Sequence, residues 1–432
     1  MGPPVNVREI VPLRRPPDAV VEVPGSKSLT NRALGAAALA DGVSQLDGIL
    51  LADDTWAMIG ALRAVGIDVE VEGTRATVTG CAGRLPATTG SIDVRLSGTT
   101  ARFIAPLLAL GSGRFELDGG APFRARPMGP VLQALETLGA RVVPGGEVGH
   151  LPVELTVDGW AANLIEVSGE ASSQFLSGLL LAAPAAGHQV TIQLTTPLVS
   201  RPYVDLTLAT MRSFGAEVAE PEPGRFVVSP TGYRATVYAV EPDASAASYL
   251  LAAAAITGGR VRVPGLGEDA LQGDAAFCRV LEQMGATVSL DSLGTEVQGG
   301  QPLRGIDIDL GAMSDTAQTL AAVAVFADRP TRVSGIGFIR AKETDRVAAV
   351  VTELRRCGIV AQELDDGFEI HPGTPHPARI ETYDDHRMAM SFALLGLVVP
   401  GIEIADPDCV AKTFPNYFQV LEQLRAPDPI GA

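Results

Sequence analysis

The sequence predicts an α/β protein of two domains, each built from three copies of one unit, and two ladders of recurring junctions carry that prediction. In the first ladder an apolar strand meets a Gly/Ser/Asp turn and then an alanine- or leucine-rich helix. It occurs at PGSKSLTNRA and returns at LSGTTARFIAPLLAL, VSGEASSQFLSGLLLAAP, VEPDASAASYLLAAAAI, LGAMSDTAQTLAAVAVFA and YDDHRMAMSFALLGLVV. With Ser28, Thr100, Ser173, Ser245, Asp315 and His386 as markers, the steps are 72, 73, 72, 70 and 71 residues. In the second ladder ALRAVGIDV, ALETLGARV, TMRSFGAEV, VLEQMGATV and ELRRCGIVA each close a helix with glycine and open a strand. Those glycines, 66, 139, 215, 285 and 358, lie 73, 76, 70 and 73 apart. A helix, a C-terminal glycine and following β-branched residues are what a helix-to-strand connection needs.

Fixed-period self-similarity marks a repeated unit, and a period of about 70 residues exceeds the roughly 20 to 50 of common solenoids. Each unit therefore holds two helices and several strands. Alanine-rich helices that are apolar on every side belong inside a core, so α/β packing follows. A chain of 432 residues is too long for one core. The first globular domain is expected over 1–21 plus 242–432, units four to six with the N-terminal segment, and the second over 22–241, units one to three.

In chain order, unit one brings an extended run (Val20, Val21, Val23) to a Pro-Gly turn and a helix start bracketed by Lys27 and Arg32. A helix N-terminus offers unpaired N–H groups and the positive end of a dipole, which suits an anion. Unit two supplies Ser97, Gly98, Thr99, Thr100 and Arg102, then Arg124 and Arg126 in FRARPMG. Unit three supplies Ser172, Ser173 and Gln174, a neutral hydrogen-bonding platform fit for a phosphate or polyol, then Ser200, Arg201, Tyr203 and Asp205. In unit five Asp315 sits at a helix start, and IRAKETDR gathers Arg340, Lys342, Glu343, Asp345 and Arg346. If that run is helical, Glu343 and Arg346 share a face. Unit six adds Asp385, His386, Arg387 and Lys412.

The net charge of −17 argues against nucleic acid and anionic membrane as partners. Against it, Lys27, Arg32, Arg126, Lys342, Arg346, Arg387 and Lys412 at or near the turns point to a strongly anionic small ligand, with Asp315 and Glu343 as candidates for proton transfer. The N-terminus has no apolar signal region, and apolar helices such as 176–184 are shorter than the roughly 20 residues of a membrane span, so a cytoplasmic protein is expected. Cys81, Cys278, Cys357 and Cys409 have neither disulfide nor zinc spacing, and neither metal nor cofactor is expected.

PGSKSLTNRA, GTTARF, RPMG, SSQF, VSRPYVD, DASAASY, the aspartate of MSDTA, KETDR, DDHRMAM and AKTFPNYF together resemble, in order and spacing from about 20 to 420, the motifs of the EPSP synthases, 3-phosphoshikimate 1-carboxyvinyltransferases of the enolpyruvyl transferase family. The resemblance implies a two-domain inside-out α/β barrel of six βαβαββ repeats, three per domain, with helices inside, sheets outside and the active site in the interdomain cleft. It implies transfer of the enolpyruvyl group of phosphoenolpyruvate to the 5-hydroxyl of shikimate 3-phosphate, without a cofactor and in a monomer. On that pattern Lys27, Ser28, Arg32, Ser172, Ser173, Gln174, Ser200, Tyr203, Asp315 and Lys342 bind shikimate 3-phosphate. Lys27, Gly98, Arg126, Gln174, Arg346, Arg387 and Lys412 bind phosphoenolpyruvate. Asp315 is the general base, Glu343 the proton donor, and Lys27 joins them as a catalytic group.

The glycine loop reads GTTARF where many relatives have GTAMRP, and Phe338 stands where many have an asparagine that touches the shikimate ligand. The sister enzymes acting on a UDP-sugar usually carry a catalytic cysteine in the loop after unit two; residues 112–129 contain none, and KETDR is foreign to them. A catalytically silent anion-binding relative is the remaining alternative, and two carboxylates amid the cations argue against it.

Overall fold

The computed structural model describes residues 6–425 apart from Ala171, so residues 1–5, 171 and 426–432 of the expected domains lie outside the described residues. The chain divides after Pro24 and again after Glu241. Gly25–Glu241 forms one compact unit, the inserted unit, and the described segments on either side of it form the other, the flanking unit.

Six helices lie at the centres, three to a unit: α1 (Lys27–Leu39), α2 (Gly98–Leu108) and α3 (Ser173–Ala182) in the inserted unit, α4 (Ala244–Thr257), α5 (Ala317–Ala324) and α6 (His386–Gly396) in the flanking one. Every residue of α2, α5 and α6 is buried, as is α4 from Ala244 to Ala255. Alanine and leucine on all sides leave such a helix no polar face to turn to water, so it can only be central. A fully buried leucine such as Leu250 or Leu394 stabilises its unit by about 1.5–3 kcal/mol relative to exposure. The buried apolar residues form two cores, one per unit.

Sheets wrap these helices. In the second repeat Thr89–Asp93 runs parallel to Ser112–Asp118, which pairs antiparallel with Val153–Asp158, which pairs antiparallel with Arg141–Pro144. Ile92, Leu117 and Val153 are in register across the sheet and buried, while Glu116 and Thr156 point away. Among the described residues four further four-stranded sheets have this same order. The first and fourth repeats borrow their lead strand: Val237–Ala239 lies parallel to Val43–Asp47, and Asp18–Val20 lies parallel to Arg260–Pro264. Each ring of three repeats is thereby closed.

The sixth repeat departs from the expected βαβαββ pattern. Ala378–Ile380 lies parallel to Ile402–Ala405, and the N-terminal strand Val7–Ile10 pairs antiparallel with the latter, giving three strands among the described residues. One strand from the far end of the chain stands where the other repeats place a hairpin. The glycine ladder has a backbone cause: Gly66, Gly139, Gly215, Gly285 and Gly358 all adopt positive φ, between 79° and 112°, the left-handed turn that ends a helix and that a Cβ opposes.

Candidate functional site

In the flanking unit three helix starts carry the chemistry. Asp385 caps α6, its Oδ1 accepting from Arg387 N at 2.9 Å, and Asp243 caps α4, accepting from Ala246 N at 2.9 Å. A short 3₁₀ turn, Ser314–Thr316, leads into α5 and presents Asp315. The segment IRAKETDR is not helical through its length: Asp345 caps a helix that begins only at Arg346, so Glu343 reaches Arg346 from a loop rather than along a helical face. Aspartate prefers the cap position because its carboxylate satisfies an otherwise unpaired N–H.

The Arg346 guanidinium, 2% exposed, is the hub. Its Nε donates to Asp385 Oδ2 at 2.7 Å, its Nη1 to Asp315 Oδ1 at 3.0 Å and its Nη2 to Glu343 Oε2 at 2.8 Å. Burial disfavours the charge, but these three carboxylates outweigh it and raise the pKa of Arg346 above its ordinary value. The other oxygens of the two candidate proton carriers face further cations: Asp315 Oδ2 accepts from Arg387 Nη2 at 2.6 Å, and Glu343 Oε1 lies 3.1 Å from Lys412 Nζ. Arg387 also donates to Tyr249 Oη at 3.3 Å and to the Asp315 carbonyl at 3.2 Å. Asp315, Glu343, Arg346, Arg387 and Lys412 are thus brought into one cluster in which each carboxylate bridges two cations. Lys342 lies nearby in the chain, its Nζ 5.9 Å from the centre of the Phe338 ring. Phe338 therefore offers that lysine an aromatic face where an asparagine would offer an amide.

The inserted unit is different in kind. Ser26, Ser97 and Ser172 cap α1, α2 and α3. Gly98 opens α2 with no side chain, and a Cβ there would stand 3.1 Å from Arg102 Nη1 and 3.2 Å from Arg126 Nη2, so two guanidiniums close on this glycine. Arg102 donates to Gln174 Oε1 at 2.5 Å and to the Pro127 carbonyl at 3.0 Å, and Gln174 Nε2 donates to Thr99 Oγ1 at 3.2 Å. Gly98, Arg126 and Gln174 are gathered in this way around Arg102. Lys27 Nζ lies 3.5 Å from Asp54 Oδ2.

Arg32 is committed inside the unit. Nε donates to Thr207 Oγ1 at 2.8 Å, Nη1 to the Ser28 carbonyl at 2.9 Å, and Nη2 to the Tyr203 carbonyl at 2.8 Å and Ser177 Oγ at 3.4 Å. Burial without a carboxylate lowers its pKa below the ordinary arginine value, to about 10. It ties Ser28 to Tyr203, and Ser200, left-handed at φ 54°, starts the helix that carries Tyr203. Ser172 and Ser173 are buried at the α3 start, where the Ser172 hydroxyl accepts from Gln174 N.

Tyr249 and Asp54 belong to these clusters although no sequence motif singled them out. Arg102 and Asp385, already evident at their helix starts, join them, Arg102 as the cation one turn after Gly98 and Asp385 as the cap before His386-Arg387. A second layer stands behind Asp385. The buried Glu353 carboxylate accepts from Arg356 Nε at 2.8 Å, Tyr383 Oη at 2.6 Å and Glu381 N at 3.0 Å. It holds the loop in which Tyr383 and Asp384 are both left-handed at φ 56°, a conformation that costs a non-glycine residue of order 1–3 kcal/mol.

None of the four thiols is activated: burial pushes all of them up, Cys357 to about 11 and Cys409 to about 12. Among the described residues no group of His, Cys, Asp and Glu could hold a metal ion, and no helix is long and apolar enough to cross a membrane.

Known proteins with this arrangement fall together. The profile of the family described as EPSP synthase (3-phosphoshikimate 1-carboxyvinyltransferase) matches residues 14–421. The 3-phosphoshikimate 1-carboxyvinyltransferase of Nostoc punctiforme is 48% identical over 96% of this chain and 99% of its own length. A second enzyme of that name, numbered 2, from Halalkalibacterium halodurans is 42% identical over 97% of this chain and 95% of its own. The solved EPSP synthase of Acinetobacter baumannii superposes with a TM-score of 0.83 at 26% identity, covering 97% of this chain and 98% of that one. The enolpyruvyl transferase NikO of Streptomyces tendae, at 21% identity and a TM-score of 0.76, shares the fold. With the fold, the repeat spacing and near full-length identity in agreement, the chain belongs to the EPSP synthase family.

Proposed function

We propose that the protein transfers the enolpyruvyl group of phosphoenolpyruvate to the 5-hydroxyl of shikimate 3-phosphate, releasing phosphate, as a 3-phosphoshikimate 1-carboxyvinyltransferase of the shikimate pathway. The observation that carries the catalytic reading is the pair Asp315 and Glu343, each bridging two cations, with Arg387 Nη2 2.6 Å from one and Lys412 Nζ 3.1 Å from the other. Carboxylates poised between cations are what a reaction between two anions needs: fixed positive charge for the substrates, and acids and bases for the protons.

In the addition step Asp315 takes the 5-hydroxyl proton as the oxygen bonds to C2 of phosphoenolpyruvate, while Glu343 gives a proton to the methylene carbon. In the elimination step the new methyl group returns a proton to the enzyme, and phosphate leaves with the C–O electrons. Arg346, Arg387 and Lys412 hold phosphoenolpyruvate together with Lys27, Gly98, Arg126 and Gln174. An arriving anionic group replaces carboxylate at Arg387, which releases Asp315 for its role as base. Ser28, Ser172, Ser173, Gln174, Ser200, Tyr203 and Lys342 bind shikimate 3-phosphate, their hydroxyls and amide matching a polyol, while Arg32, expected among them, is buried on protein partners and positions Ser28 and Tyr203 through their carbonyls. The protein acts as a monomer in the cytoplasm.

A phosphate-release assay tests this. Purified protein should release phosphate from phosphoenolpyruvate only with shikimate 3-phosphate present. Release with a UDP-sugar acceptor instead would transfer the assignment to the sister activity, which the unactivated cysteines disfavour. Release with neither would leave an anion-binding protein.

A further inference from the structure

Asp274 is a buried carboxyl that the mechanism above does not use. It lies in the short turn Gly273–Ala276 and is 5% exposed. Its Oδ2 accepts a close hydrogen bond from the Ser245 hydroxyl. Ser245 is the second residue of α4, and the same hydroxyl lies 3.5 Å from Arg387 Nη2, which in turn donates to Asp315 Oδ2 at 2.6 Å. Four groups therefore run in line: carboxyl, hydroxyl, guanidinium, carboxylate. The turn is stitched to the helix start, since Gln272 Oε1 accepts from Ala244 N at 3.1 Å and Gln272 Nε2 donates to the Pro242 carbonyl at 2.7 Å. Turning the Asp274 carboxyl to water would break its bond to Ser245.

The charged groups facing Asp274 are Asp315 from the turn before α5, Arg387 from α6 and Asp243 from the α4 cap. Burial and then Asp315 push its carboxyl up, Arg387 and the Ser245 hydroxyl pull it down, and the balance is a pKa of about 7 against the ordinary 3.8. Neutral, Asp274 leaves Arg387 balanced by Asp315. Ionised, it draws on Arg387 through Ser245 and repels any anion approaching that guanidinium.

We propose that Asp274 is a positioning residue that must hold its proton for Arg387 to receive an anionic substrate group, so that arrival of the anion draws a proton onto Asp274. The sign follows from linkage: a negative group placed near a carboxyl favours its protonated form, so affinity for the anion falls as pH rises through the carboxyl's pKa. Naming that anion as phosphoenolpyruvate rests on the function proposed above.

Asp274→Asn keeps the size of the side chain and removes its charge at every pH. The KM for phosphoenolpyruvate, measured for wild type and variant from about pH 6 to about pH 9, cancels the substrate's own titration when taken as a ratio. The two should agree at the acid end, and wild type should be weaker by on the order of tenfold at the alkaline end, with the KM for shikimate 3-phosphate unmoved. Parallel profiles, or equal effects on both substrates, overturn the proposal. A wild type without turnover refutes the activity instead, and the rise in melting temperature given by sulfate, whose charge is constant over this range, then decides the matter. Wild type should lose more of that rise than Asp274→Asn between about pH 6 and about pH 9, and an equal loss overturns the proposal. If Asp274→Asn does not fold, wild type alone answers, because a sulfate-induced rise that is flat across this range is incompatible with it.

Discussion

The two units share a repeat and differ in how they hold polar groups. In the flanking unit Arg346 meets Asp385, Asp315 and Glu343 at 2.7, 3.0 and 2.8 Å, a lattice of full charges. In the inserted unit Arg32 is as deeply buried but meets a threonine, a serine and two carbonyls, and its pKa drops to about 10. One fold thus supports opposite electrostatic regimes around a buried arginine, one of full carboxylate charges and one of neutral dipoles. The difference lies at the helix starts, since the four-stranded sheets among the described residues keep one strand order in both units.

The hardest way to break the comparison is at Asp315, the proposed base. Asp315→Asn keeps the shape between Arg346 and Arg387 and removes the charge. We expect kcat to fall by about 10²- to 10⁴-fold, with the shikimate 3-phosphate dissociation constant, read by calorimetry, changed only a few-fold. An unchanged kcat removes Asp315 from the chemistry. The neutral regime predicts a loss of stability instead. Arg32→Met strips partners from Thr207, Ser177 and two carbonyls and should cost about 1–3 kcal/mol in denaturant unfolding, a far larger share of its effect than any change in kcat.

Two smaller tests sharpen the boundary between regimes. In Gly98→Ala the new methyl group stands within 3.1 to 3.3 Å of Arg102 and Arg126 atoms, so the guanidiniums must shift. Because they are the far ends of flexible side chains, the cost is at the lower end of the ~1–3 kcal/mol of overpacking, and the KM for phosphoenolpyruvate should rise by about tenfold while that for shikimate 3-phosphate holds. Tyr383→Phe removes one 2.6 Å bond to Glu353 behind Asp385. A loss of about 1 kcal/mol should appear as a few-fold rise in the KM for phosphoenolpyruvate, and no change would mark that loop as indifferent to the site.

Much of this was legible in the chain because neighbouring repeats set equivalent positions side by side. Arg102 and Gln174, and Asp315 and Arg387, are each 72 residues apart, one period, so contacts between helix starts recur at the spacing the sequence displays. Asp274 with Ser245 and Glu353 with Tyr383 are 29 and 30 apart, a separation tied to no period, and neither pair announces itself by residue type. The condition that IRAKETDR be helical fails at Glu343 for a local reason. Asp345 is a better cap than helix interior, and its Oδ1 bond to Ala348 N at 3.0 Å starts the helix there. The three-stranded sixth sheet was also out of reach, since the strand that completes it is encoded some 390 residues away.

That strand sets an order of assembly. Val7–Ile10 and Asp18–Val20 leave the ribosome first, but their partners at 402–405 and 260–262 are made last and midway. At about 5–20 residues per second the earliest strand waits on the order of tens of seconds, while Gly25–Glu241, contiguous in the chain, can complete its own core. Arg8 and Glu9 at the middle of the waiting strand put charge on an unpaired edge, which discourages it from joining the wrong sheet in the interval.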